Sequence, residues 1–216
     1  MTAEHLTTLE SIHRAAKAEF LEKGFQSASL RNIVKTAGMT TGAFYGYYKS
    51  KVGLFEALVS EHYDFILNRF QAAQREFAAL PHEQQPDHLS NISGLSMFDM
   101  LHSAYRHLDE FKLILCCSEG TRFAGLIDEM VEIEVEATHA YQKVLAELGR
   151  PSPRIDPQLL IGSGRPYGRD KTTFHIRNTR AIQPVSLCAV LNGANQMYGI
   201  IMANDQEFFL SLSELK

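Results

Sequence analysis

The sequence lacks most of the features that mark secreted, membrane-spanning or catalytic chains. Only three cysteines, Cys116, Cys117 and Cys188, occur in 216 residues, too few for a disulfide framework, so a reducing compartment is expected. No uninterrupted apolar run is long enough to cross a bilayer, which excludes a membrane partner of that kind. The N-terminus, MTAEHLTTLESIH, has no basic segment followed by an apolar one, as an export signal would, and a cytoplasmic location follows. No segment before residue 150 alternates apolar and polar residues as a strand does. No paired constellation of catalytic groups is visible, and neither a cofactor nor a metal is expected.

What is present suffices for a folded globular protein. Hydrophobic residues make up 45% of the chain, enough for a core, and the length fits one large domain or a small domain with a larger one. The net charge of -4 at first argues against a nucleic-acid partner. Its distribution changes that reading. Residues 1–60 hold seven Lys/Arg against five Glu, and the remainder holds 14 basic against 20 acidic residues. A mildly basic head on an acidic body is compatible with a DNA reader.

The stretch Ser29 to Lys51, SLRNIVKTAGMTTGAFYGYYKSK, predicts two short helices and a tight turn. Ser29 is a candidate N-cap, and Leu30, Ile33, Val34 and Ala37 share one helical face. Gly38 follows, where a left-handed residue ends a helix. Thr40 offers a second N-cap for a helix running Thr41 to Tyr47, with Ala43, Phe44 and Tyr47 as its apolar face. Helix, glycine turn and helix in this span make a helix-turn-helix. Before it, residues 8–23 place Leu9, Ile12, Ala16, Phe20 and Leu21 at helical spacing, and Gly24 ends that helix. After it, Ser50 caps a long helix reaching about Ala79, before Pro81.

Further on, residues 81–91 read as a polar loop with two prolines. Helical patterns then cover roughly 94–107, 108–117 and 122–148, the last ended by Gly149 and Pro151. The fold class expected is all-α. Residues 161–184 are glycine-rich and basic with no sustained period, 186–203 are apolar but interrupted by Gly193 and Gly199, and the C-terminal residues fit a short amphipathic helix.

From the first helix into the fourth, AAKAEFLEKGFQSASLRNIVKTAGMTTGAFYGYYKSKVGLFEAL resembles the DNA-binding domain of the TetR family of bacterial transcriptional regulators. The resemblance rests on the phenylalanine and glycine closing the first helix, the Ser-Leu-Arg-Asn-Ile start of the second, and the Thr-Gly-Ala-Phe-Tyr-Gly-Tyr-Tyr-Lys-Ser-Lys run. It implies a DNA-binding domain over 6–66, with its motif at 29–48, and a helical body over 67–216. It further implies a homodimer on a palindromic double-stranded DNA operator, and a body that binds a small effector. The function implied is that of a repressor released by the effector. Gly46 departs from the family, which often has a histidine there, and Tyr48 stands where phenylalanine is usual. Residues 161–184 stand where a long dimerisation helix is expected.

On that resemblance, the second short helix enters the major groove with its N-terminal end leading. Thr40, Thr41 and Gly42 approach base edges or phosphates, Tyr45 reads a base, and Ser29, Arg31, Tyr47 and Lys51 hold phosphates. The plainer reading makes Phe44, Tyr47 and Tyr48 core aromatics and Lys51 a solvated charge. In the body, Phe65, Phe98, Tyr105, Phe111, Phe123 and Met130 are candidates to line a pocket for an apolar or aromatic effector, though the same residues suit plain core. Glu136 and His139 have the spacing of a di-iron helix but lack a second copy, so an exposed pair is expected. Cys116 and Cys117 fit inert buried thiols better than a redox sensor. Gly162-Ser-Gly164 and Gly168 to Thr172 miss the phosphate-loop pattern. Two other classes, a helical enzyme and an adaptor that does not bind DNA, are separated from a regulator by a gel shift.

Overall fold

The computed structural model of the chain describes residues 3–150. Every regular element among them is helical: α1 (Ala3–Ser27), α2 (Leu30–Thr36), α3 (Thr41–Phe44), α4 (Lys51–Ala78), α5 (Gln85–Arg106), α6 (Leu108–Cys116) and α7 (Leu126–Glu147), with single 3-10 turns at His82–Gln84 and Arg122–Gly125. The segments 161–184 and 186–203 and the C-terminal residues, on which several expectations fall, lie outside the described residues.

The described residues form two compact units, one taking those up to Ile66 with Ser103–Leu126, the other Leu67–His102 with those from Ile127 on. The first unit therefore takes in α6 and the turn at Arg122–Gly125, which the sequence pattern places in the body. Its core explains why. Phe20 and Phe25 of α1 stack at 5.9 Å, and Phe55 of α4 meets them edge-on at 5.1 and 5.2 Å. Phe123 extends this aromatic stack, 6.0 Å from Phe55 and 5.1 Å from Tyr63. Phe111, Leu113 and Ile114 of α6 are buried too, and the Phe25 amide donates to the Cys117 carbonyl at 2.7 Å. Apolar area removed from water at about 25 cal/mol per Å² makes such an aromatic core the main stabilising term of a small unit.

Gly24 breaks α1 without ending it. Its backbone is non-helical, with φ 71°, and one more turn follows to Ser27. The carbonyls of that turn need partners, and Lys51 supplies them. Its ammonium donates to the carbonyls of Phe25 at 2.7 Å, Gln26 at 3.1 Å and Ala28 at 3.0 Å, and lies 4.6 Å from the centre of the Phe25 ring. An ammonium has three N–H donors, and all three are engaged. Lys51 thus departs from the expected phosphate contact and clamps α1 to the start of α4.

The second unit packs Ala73 and Phe77 of α4 against Ile92 of α5, with Leu80, Leu89 and Tyr141 around them. Residues 81–91 are not the expected loop: α5 starts at Gln85, inside that span. Proline is tolerated in a first helical turn because its missing N–H would be unbonded there, so Pro86 does not prevent the helix. Gln85 is buried and donates to the Leu80 carbonyl at 3.2 Å, which fixes the entry. At the far end of α7, Gly149 has φ 65°, its amide bonds to Ala146, and the Arg150 amide bonds to Leu145. This pair of bonds closes a helix over a left-handed residue, as the sequence predicts.

Replacing Lys51 with methionine leaves the three carbonyls without their donor. We expect a loss of about 1–3 kcal/mol, read as an earlier unfolding midpoint in urea at unchanged m-value. A midpoint equal to that of the wild type means that water replaces the ammonium at no cost.

Candidate nucleic-acid interface

Local hydrogen bonding builds the surface around α2 and α3. Ser29 caps α2 by accepting from the Asn32 amide at 3.4 Å, a long bond, and a second group reinforces it. Glu19 of α1 accepts from the Ser29 amide at 2.9 Å and from Lys23 at 3.0 Å. The Ser29 N–H, followed by Lys23 and Asn32, holds the Glu19 carboxyl below its usual value of 4.5. At the other end, Gly38 has φ 71°, its amide bonds to Lys35 and the Met39 amide to Val34, the two bonds of a left-handed helix stop. Thr40 then caps α3, accepting from the Ala43 amide at 3.1 Å.

The second helix is one turn long and stops at Phe44, short of the expected Tyr47, with turns over the next three residues. Gly46, a poor helix former, stands in that turn. Of the expected apolar face, Phe44 is fully buried and Tyr47 half-buried, but Ala43 is exposed. Tyr48 is half-buried against Phe44 and shares a short hydrogen bond with His13. Burial raises the Tyr48 hydroxyl pKa and lowers that of the His13 imidazole, which Lys17 lowers further.

The candidate contact residues fall into two groups. Arg31, Thr40, Thr41, Gly42 and Tyr45 are all exposed, and Tyr45 is the most open aromatic of the motif at 54%. Gly42 has open space beside it, since an added Cβ would meet only the Thr40 hydroxyl, at 3.9 Å. Ser29 and Tyr47 are half-buried, and Lys51 is committed to backbone carbonyls. The composition of the strip carries a signal that motif matching passes over. From Lys23 to Phe55 there is no carboxylate, while Lys23, Arg31, Lys35, Lys49 and Lys51 are all basic. With Lys23 on Glu19 and Lys51 on carbonyls, the exposed cations of the strip are Arg31, Lys35 and Lys49. Lys35 and Lys49 are the residues that the sequence reading missed.

The six candidate pocket residues do not come together. Phe65, Phe98 and Tyr105 are 40%, 66% and 43% exposed, and Phe111 and Phe123 are core of the first unit. Met130 is core of the second. A cavity of about 20 Å³ does occur in the second unit, between Phe70 and Phe77 of α4, Ile92, Ser96 and Met100 of α5, and Glu134 of α7. It has room for about one water, against several hundred Å³ for a typical ligand site. Its polar features are the Ser96 hydroxyl, buried with no hydrogen-bond partner among the described residues, and Glu134, which accepts from Gln74 at 2.7 Å. Helical spacing of apolar residues therefore tells neither whether a given one is buried nor which of the two cores it joins.

The remaining candidates are quiet. Glu136 and His139 are exposed, as expected. Cys117 is buried, and burial, with Cys116 beside it, pushes its thiol up to about 11, while Cys116 is exposed.

Residues 12–58 match the family described as bacterial regulatory proteins, tetR family. The chain is 23% identical over 200 residues to the HTH-type transcriptional repressor KstR2 of Mycolicibacterium smegmatis, a match covering 88% of this chain and 92% of that protein. It is 37% identical over 135 residues to the HTH-type transcriptional repressor BepR of Brucella suis, covering 61% of each. It is also 34% identical over 71 residues to the HTH-type transcriptional regulator UidR of Escherichia coli K12, 33% of this chain and 36% of that one. A solved transcriptional regulator of the TerR/AcrR family from Aquifex aeolicus is 28% identical, covering 65% of this chain and 72% of that one, with a TM-score of 0.36.

The Glu19 bond gives a pH signature. A carboxyl whose pKa is lowered by folding stabilises the fold above its unfolded value, and that stability is lost as pH falls through the folded value. Glu19→Gln should therefore lower the thermal midpoint at pH 7, and the gap to the wild type should close below about pH 4.5. A gap that stays constant down to pH 3 rules out the ionised carboxylate as the source.

Proposed function

We propose that this chain is a regulator of the TetR type, to which its residues 12–58 are similar, and that it represses transcription by binding a palindromic operator as a homodimer. A small effector then releases it. Repression is carried over from two relatives named as repressors. No described helix is long and apolar enough to cross a membrane, and we place the protein in the cytoplasm with the DNA.

The observation that carries DNA contact is the stretch Lys23–Phe55 without a carboxylate, in which exposed Arg31, Lys35 and Lys49 flank, in the sequence, the exposed shelf of Thr40, Thr41, Gly42 and Tyr45. Lysine and arginine on phosphates supply affinity without sequence preference, and groups on the shelf supply preference. Ser29 stays a phosphate ligand through its position at the N-terminus of α2, and Tyr47 at the margin of the shelf; Lys49 takes the phosphate role first given to Lys51.

A dimer follows from operator geometry. Two heads must sit about one DNA turn apart, roughly 34–36 Å, to enter successive major grooves. An effector releases DNA only if it binds the incompetent spacing better than the competent one. The cavity between α4, α5 and α7 is the starting point for its site, with Ser96 and Glu134 as its polar contacts. At about 20 Å³ it must open to admit an apolar or aromatic compound.

A gel shift with the DNA upstream of the chain's own coding sequence tests the reading. We expect a sequence-specific complex of two chains per site, with the mass of a dimer by light scattering. Arg31→Ala and Lys49→Ala should weaken all DNA sequences and each lower the salt slope by about one, whereas Tyr45→Ala should cost about 1–3 kcal/mol on the specific site alone. Unchanged binding by all three variants removes this surface from the DNA contact.

A further inference from the structure

One cluster of the first unit is left unused by DNA contact. His62 lies on α4, His107 is the N-cap residue of α6, and Glu110 stands one turn further along α6. The two imidazoles face each other with ring centres 4.4 Å apart, and one ligand atom from each of the three residues lies within 4.8 Å of the others. All three side chains are half-buried, and the His107 ring makes no capping bond to α6.

These donors lie within 4.8 Å of one another. On a tetrahedral shell with bonds near 2.0–2.1 Å, ligand atoms stand roughly 3.3 Å apart, so the three must draw in by up to about 1.5 Å to close on an ion. Two imidazoles and one carboxylate are too rich in nitrogen for calcium or magnesium, and there is no thiolate to favour copper(I). The set fits zinc with a water in the fourth position. Lys17 of α1 donates to the Glu110 carboxylate, which also accepts from the Glu110 backbone N–H, so an ion must compete for its oxygens; the lysine is exposed enough, at 31%, to swing away from the added charge. A tilted histidine pair beside the Lys17–Glu110 ion pair is the plainer account; the convergence of three ligand atoms, two of them imidazole nitrogens, is what favours an ion.

We propose that His62, His107 and Glu110 bind one divalent ion of the zinc class, tying α4 to α6 within the unit that carries the helix-turn-helix. The site does not depend on the operator reading, because its ligands lie outside the DNA strip.

Cobalt(II) is the probe, titrated into the chelator-treated full chain and followed by its visible ligand-field bands, with zinc as competitor. We expect one tight equivalent with the band intensities of four-coordinate cobalt and a zinc-induced rise in the unfolding temperature. His62→Ala and His107→Ala should each weaken binding by at least about ten-fold and abolish the thermal shift, while exposed His139→Ala changes neither. Should His107→Ala disturb α6, His62→Asn with an unaltered circular dichroism spectrum decides the matter in the same way. Equal affinity in the wild type and His62→Asn, a sulfur-to-cobalt charge-transfer band, or no cobalt binding at all overturns the site.

Discussion

One ammonium group ties the start of α4 to the end of α1, just before the helix-turn-helix. Gly24 interrupts α1, and the short turn beyond it would leave its carbonyls facing outward. Lys51 gathers three of them at 2.7–3.1 Å while standing at the first residue of α4. Ser29 begins α2 just after those carbonyls, and Glu19 ties its amide back to α1. The entry to the helix-turn-helix is therefore fixed from both sides, by a cation on the carbonyls before it and an anion on the amide that starts it. The aromatic stack of Phe20, Phe25, Phe55 and Phe123 lies next to this junction and supplies the apolar stabilisation that makes the polar clamp worth forming.

How much of this could be read from the chain depends on how local each determinant is. Ser29, Gly38, Thr40, Ser50 and Gly149 act on amides and carbonyls a few residues away, so capping rules place them correctly. Lys51 acts on residues 23–26 positions earlier, and its motif position points outward to phosphate where the fold turns it inward. Residues 81–91 look like a loop because two prolines and eight polar side chains hide a helix start that tolerates proline. Ala43 belongs to the apolar class but is exposed, since a one-turn helix has only one inward position and Phe44 takes it.

The body was the hardest part to read. Aromatic residues at helical spacing serve two cores in this chain, and spacing carries no label for either. Phe111 and Phe123 joined the unit that begins at the N-terminus, and Met130 joined the other. The second unit instead sets buried polar groups among its apolar ones: Glu134 meets Gln74, Thr138 contacts Glu134 at 3.5 Å, and Ser96 faces the same cavity. Buried polar pairs of this kind add little stability, yet they penalise any packing of α4 on α7 that would part them.

The shortness of α3 has a consequence for how its surface can vary. A single turn gains little from its own hydrogen bonds, and here the Thr40 cap and the buried Phe44 ring hold it in place. Thr41, Gly42 and Tyr45, on either side of that ring, are exposed, although Tyr45 still meets Phe44 edge-on at 5.5 Å. Within six consecutive positions, the side chains that hold the turn and those open to solvent are thus largely different ones. The outward surface can therefore change while the cap and the buried ring stay in place.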